Sequence, residues 1–116
     1  MSEKRPAPLL FYDILESINK VENYTRTISF DELMRDERTK DAILRNIQII
    51  GDASKNIPES IIWMHPEVDW SGVAGMRDII THRYFRVDWH LIWESIHDEL
   101  PPFKVHILNL IKELEN

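Results

Sequence analysis

The chain has 116 residues, a formal charge of -6 and a pI near 5.3, with 43% apolar residues, 29% charged residues and no cysteine. That length holds one domain with one core, expected over 1–116 with the first seven residues flexible, and the ordinary composition argues against disorder. No apolar run approaches the roughly 20 residues of a membrane span, and disulfides, thiolate metal sites and thiol nucleophiles are excluded.

Apolar residues recur at helical spacing almost throughout and glycine is scarce, so the expected class is all-α. A first helix is predicted over about Pro8 to Tyr24, with Phe11, Ile14, Leu15, Ile18 and Val21 on one stripe and a polar end expected to fray. Ser29 and Glu32 have the spacing of a capping box ahead of Leu33 and Met34, which predicts a short helix. Thr39 to Lys55 reads as a second long helix that buries Ala42, Ile43, Ile47, Ile50 and Ser54 and stops at Asn56 and Pro58. Gly51 within it costs roughly 1 kcal/mol relative to alanine, so a close helix crossing is expected there.

Pro58 opens a short helical turn through Trp63, and Pro66 breaks it. Asp69 is a good N-cap for a third long helix carrying Val73, Met76, Ile79 and Ile80. Asp88 caps a fourth, with Trp89, Ile92, Trp93, Ile96 and Leu100 inward. Pro101 and Pro102 then open a last helix with Phe103, Ile107, Leu110 and Leu114 on its stripe. Short connections between such helices favour an antiparallel four-helix-type bundle with short extra helices.

An acidic protein does not hold nucleic acid by its overall field, so any such contact must be local. Residues 76–86 supply a local exception, because Arg77, Arg83 and Arg86 stand against the single Asp78. On a helix, Asp78 and His82 are i, i+4 neighbours, and a carboxylate there can hold an imidazole ready as general acid or base. Arg77, Thr81 and Tyr84 fall at about 0°, 40° and -20°, whereas Asp78 and His82 fall at about 100° and 140°. To share one phosphate, Arg77 and His82 need a helix that distorts or ends near His82, or two copies of the motif facing each other. The reading favours the dimer. On spacing alone an Asp–His pair on a helix is more often a surface pair than a catalyst.

The run from Gly75 through Met76, Arg77, Asp78, Ile79, Ile80, Thr81, His82, Arg83 and Tyr84 to Phe85 resembles the Arg-x-x-x-x-His-x-Tyr signature of HepT-like proteins, in the HEPN superfamily of helical ribonucleases. Ala42 to Gly51, His65 to Trp70, Val87-Asp88 and Leu100-Pro101 agree with the same pattern in order, so the resemblance covers most of the chain. It implies a HEPN-like bundle that forms a homodimer and cleaves RNA as the toxin of a type II or type VII toxin–antitoxin pair, without a metal or other cofactor. His82 would act as base or acid, Arg77 would stabilise the phosphorane, and Asp78 would orient its neighbours. Arg83, Arg86 and Thr81 would contact RNA, although a back-bond to the helix is the commoner fate of such a threonine. The resemblance also implies a partner, a minimal nucleotidyltransferase antitoxin that adds AMP to Tyr84 or blocks the toxin by binding. Family members often carry Glu where this chain has Asp52, so the carboxylate is kept with a shorter reach.

Two rival readings go with this one: a non-catalytic regulatory subunit of the nucleotidyltransferase, and a metal-carrying bundle built on His90, Glu94 and His97. The latter three lie on a flank of their helix, so a solvated or interface face is expected for them. Trp63, Trp70, Trp89 and Trp93 could stack bases but are expected in the core or an interface. His65 and His106 have no partner at useful sequence spacing, and Tyr12 and Tyr24 read as packing residues. A cytoplasmic address is expected, since no secretory signal opens the chain.

Overall fold

The computed structural model describes the backbone of residues 5–82 and 87–115, with side chains for 5–76 and 87–115. Among the described residues every regular element is a helix, and they form an all-α bundle: α1 (Ala7–Thr25), α2 (Phe30–Met34), α3 (Glu37–Lys55), α4 (Glu59–Met64), α5 (Trp70–His82), α6 (Trp89–Asp98) and α7 (Leu100–Glu115). Among the described residues no helix is long and apolar enough to cross a membrane.

Helix α1 buries the predicted stripe, with Phe11, Ile14, Ile18 and Val21 inside and Leu15 half-buried against them. At its far end the helix runs one residue further than predicted. Thr25 is buried and its hydroxyl donates to the Val21 carbonyl at 2.9 Å, extending the helix past Tyr24. At the near end Arg5 pairs with Asp13. The capping box forms as predicted: the Ser29 hydroxyl accepts from the Glu32 N–H at 3.1 Å, and the Glu32 carboxylate accepts from the Ser29 N–H at 3.0 Å. Those contacts to Ser29 hold the Glu32 carboxyl below its ordinary range.

Helix α3 starts earlier than its apolar pattern suggests, because Asp36 caps it through the Thr39 N–H at 3.1 Å. It packs against α1 on one side and α5 on another. Ile43, Ile47, Ile50, Gly51, Ala53 and Ser54 are buried along it, and Ala42 is only half-buried. Gly51 is thus buried on the helix that serves two neighbours, where a missing side chain permits close approach.

Two contacts fix α7 antiparallel to α1. Tyr12, near the start of α1, donates to Glu115 at 2.7 Å, and Lys104, near the start of α7, reaches Glu22 at 2.7 Å. The Glu115 carboxylate holds the Tyr12 phenol above its ordinary range. Leu100 belongs to the first turn of α7 rather than to α6, and the two prolines follow within that turn, where missing N–H groups cost nothing. Phe103, Ile107 and Leu110 are buried as predicted, but Leu114 is 50% exposed and Ile111 takes its place in the core.

This difference is testable in unfolding experiments. Ile47→Ala, which empties a filled core site, should lower the unfolding free energy by about 2–5 kcal/mol. Leu114→Ala should stay within about 0.5 kcal/mol of the parent in the same urea titration.

Candidate active site

The residues nominated for RNA cleavage lie in sequence on α5 or just after it, and Asp69 with Trp70 sets where that helix begins. Asp69 caps it, accepting from the Gly72 N–H at 3.0 Å. Trp70, Val73 and Met76 are buried, which turns that side of the helix into the core beside α3. The Trp70 ring meets Phe103 of α7 edge-on at 5.9 Å, and its indole N–H donates to the His65 carbonyl at 3.2 Å. His65 is itself held, its two ring nitrogens 3.2 Å from Glu67 and 3.4 Å from Glu113 of α7. The absence of a partner for His65 is therefore corrected: Glu113 lies far away in sequence and becomes a neighbour only through the fold. The Glu67 carboxyl is held below its ordinary range, by its own backbone N–H first and by His65 after it.

From this anchored start the helix continues without a break to His82. It carries the backbone of Arg77, Asp78, Thr81 and His82, whose side chains lie outside the described residues; Arg83, Tyr84 and Arg86 lie outside them altogether. An unbroken α-helix turns the Arg77 and His82 positions about 140° apart. Of the options for bringing the two together, distortion between them is thereby removed. Ser71, Gly75, Asp78 and His82 occupy i, i+4, i+7 and i+11 on α5 and so share one face, turned away from Trp70, Val73 and Met76.

Gly75 on that face is the position that sequence reasoning passed over except as part of a motif. A side chain there would meet nothing within 4 Å among the described residues. The intramolecular fold therefore gives no reason for a glycine in mid-helix, and the signal for it was the helix-breaking residue itself. Gly72 differs, because a Cβ at that position would run into the capping carboxylate of Asp69.

The other nominated residues resolve as follows. Asp52 is exposed on α3 and its carbonyl accepts from the Asn56 amide at 2.8 Å. His90 stacks on Phe30 of α2 at 4.3 Å, and the His97 ring lies 2.7 Å from the Trp93 carbonyl of its own helix, so both rings serve packing at a flank. Among the described residues no three His, Asp or Glu side chains are grouped to hold a metal ion. Trp70 is buried and Trp89 and Trp93 are half-buried, but Trp63 is 81% exposed, which overturns a core role for it. A cleft of about 220 Å³ beyond Asp69 is lined by Glu67, Asp98, Glu99 and His106 among others. Burial first, then Asp69 and Asp98, push the Glu99 carboxyl up, which marks this as a crowded acidic surface.

The HepT-like ribonuclease model matches residues 14–110. The chain belongs to the HepT-like ribonuclease family. The "Probable ribonuclease HepT" of Thermococcus cleftensis is 41% identical over 92 residues, which cover 79% of this chain and 84% of that one. Two proteins of Methanocaldococcus jannaschii, each named "Putative RNase", are 35% identical over 112 residues, 97% of this chain and 93% of theirs. No solved structure matches the chain. Membership makes the chain a ribonuclease, and the Arg77 and His82 positions nominated from the sequence fall on the last two turns of α5.

The two glycines of α5 make opposite predictions. Gly75→Ala should raise the unfolding free energy by about 1 kcal/mol, the helix-propensity gain at an open position. Gly72→Ala should forfeit that gain by displacing the cap, itself worth about 0.5–2 kcal/mol. Urea unfolding of both variants beside the parent decides the matter, and equal midpoints would refute the assigned environments.

Proposed function

We propose that this ribonuclease is the toxin of a toxin–antitoxin pair, working as a homodimer whose two α5 helices line one RNA-binding cleft. The observation that carries the reading is the continuity of α5 from Trp70 through His82. A straight helix separates a guanidinium at 77 from an imidazole at 82 by over a third of a turn, and a second copy supplies the missing partner.

The chemistry needs no metal. A base removes the proton of the ribose 2′-hydroxyl, and the resulting oxygen attacks the adjacent phosphorus. The bond to the 5′-oxygen breaks as that oxygen takes a proton, leaving a cyclic phosphate and a free 5′-hydroxyl. His82 serves as base or acid, and a dimer offers two such imidazoles for the two proton transfers. Arg77 stabilises the charge that builds on the phosphorane, and Asp78, one turn before His82, orients the ring. Arg83, Arg86 and Thr81 hold neighbouring phosphates, which keeps the attraction for RNA local in a chain of charge -6.

Silencing fits the same face. A nucleotidyltransferase antitoxin adds AMP to Tyr84, placing bulk and negative charge next to the arginines.

Arg77→Ala and His82→Ala should each lower cleavage of single-stranded RNA by roughly 10²- to 10⁴-fold. Coexpression of the two with different tags should restore part of the activity in the mixed dimer, because its cleft keeps one native Arg77 opposite one native His82 and loses only the second copy of each. Full activity in either single variant would remove that residue from the chemistry, absence of cleavage by the parent itself would favour a non-catalytic regulatory subunit, and failure of the mixture to recover would overturn the shared site.

For the antitoxin, intact-protein mass spectrometry after coexpression with a cognate nucleotidyltransferase should show added adenylate, absent from Tyr84→Phe. A neutralised toxin of unchanged mass would mean that binding alone silences it.

A further inference from the structure

Beside the first turns of α5, the end of α3, α4 and the α4–α5 connection enclose an open cleft of about 770 Å³. Ser54, Ile62, Trp63, Val68, Trp70 and Ala74 are among its lining residues. Two of them are unexplained by the fold. Ser54 is 2% exposed, and among the described residues its hydroxyl has no hydrogen-bond partner, although a serine within a helix ordinarily bonds back to the preceding turn. A buried hydroxyl without a partner carries its full desolvation penalty, so something outside the chain is the natural acceptor or donor. Trp63, at the other wall, leaves a large flat ring in solvent.

We propose that this cleft is a nucleobase subsite, receiving the base of a nucleotide next to the scissile phosphate, stacked on Trp63 and hydrogen-bonded by Ser54. The inference rests on the reading of α5 as the RNA-cleaving helix, and it adds where the substrate's bases go. Charge selects a base over a phosphate. Among the described lining residues Glu67 and Asp69 stand against the one cation Lys55, and the Gly72 N–H at the helix start is already taken by Asp69. Carboxylates repel a phosphate but accept from the amino and imino N–H groups of a base. Unstacked bases of single-stranded RNA are bound in this way, flat on an aromatic ring with polar groups at their edges.

The register of α5 links the cleft to the chemistry. Ser71 and Ala74 both line it, and Asp78 stands at i+7 from the first and i+4 from the second. The cleft therefore opens about one helical turn, some 5 Å of rise, before the position of the Asp78–His82 pair. That separation lies within the reach of one nucleotide.

Binding separates this inference from the reading beneath it. Full-length protein carrying His82→Ala is titrated into labelled single-stranded RNA oligonucleotides and followed by fluorescence anisotropy. Trp63→Ala should weaken binding by roughly 5- to 100-fold, the range of one base–aromatic stack, and Trp63→Phe should recover most of it. An abasic nucleotide at one position beside the cleaved bond should weaken binding to the parent and have no further effect in Trp63→Ala. Ser54→Ala should alter the preference among the four bases at that position while leaving thermal stability unchanged or higher, since no internal hydrogen bond is lost. Trp63 is exposed, so the variants should keep the parent's circular dichroism. RNA bound equally by parent and Trp63→Ala overturns the subsite and leaves the ribonuclease reading intact. RNA bound by neither overturns both. A Trp63→Ala protein that binds RNA normally but sediments as a monomer assigns the ring to a protein interface instead.

Discussion

The rotation of α5 about its own axis is the constraint on which the rest depends. Val73, Met76 and Trp70 can be buried only if one side of the helix faces the core beside α3. The anchor at the N-terminal end then removes the remaining freedom: Trp70 is wedged against Phe103 and tied to the His65 carbonyl, while His65 bridges to Glu113 on α7. A helix clamped at its first turn by two neighbours transmits that orientation along its length, because backbone hydrogen bonds forbid independent twisting of later turns. The Asp78 and His82 positions consequently inherit an outward bearing set some two to three turns earlier. Substitutions at the α4–α5 connection should therefore be felt at the chemistry even though they lie turns away from it.

The helices were legible because burial on one side leaves a periodic trace. Ile14, Ile18 and Val21 in α1, or Ile43, Ile47 and Ile50 in α3, sit at the spacing that only a half-buried helix requires. Caps were legible for the same local reason: Ser29 with Glu32, Asp69 and Asp88 each satisfy amides within three residues. What failed was everything decided by distant chain. Leu114 continues the α7 period perfectly, yet exposure depends on whether another helix reaches that far. Trp63 reads as a core residue from its type, and only the assembled fold leaves it bare. Ser54 lies on the buried stripe of α3, as the pattern required, but periodicity is silent on whether a hydroxyl finds a partner.

The candidate site was legible in a different way. Its residue types came from an ordered motif, whereas spacing alone points no further than a surface ion pair. The continuous α5 adds what the motif lacks, an angular relation between the arginine and histidine positions. It also separates the face by charge. The acidic surface around Glu67, Asp69, Asp98 and Glu99 lies at the start of the helix, and the arginines lie at and beyond its end. At a net charge of -6 the chain's overall field repels a polyanion, so any attraction for one has to be local.

Three residues break rules that the remainder of the fold obeys. Gly75 weakens a helix at a position with room for a side chain, Ser54 buries an unpaired hydroxyl, and Trp63 exposes the largest apolar ring available to a protein. Each is a small destabilisation that a sequence selected for stability alone would remove by one substitution. Scattered over the molecule, they would be ordinary imperfections. Instead Ser54 and Trp63 line one cleft, Ala74 of α5 lines it with them, and Gly75 is the next residue along, on the face that leads to Asp78 and His82. Local choices that disagree with the fold are expected where a ligand or another chain supplies the missing contact. Their convergence beside the first turns of α5 is the physical reason for the subsite proposed there.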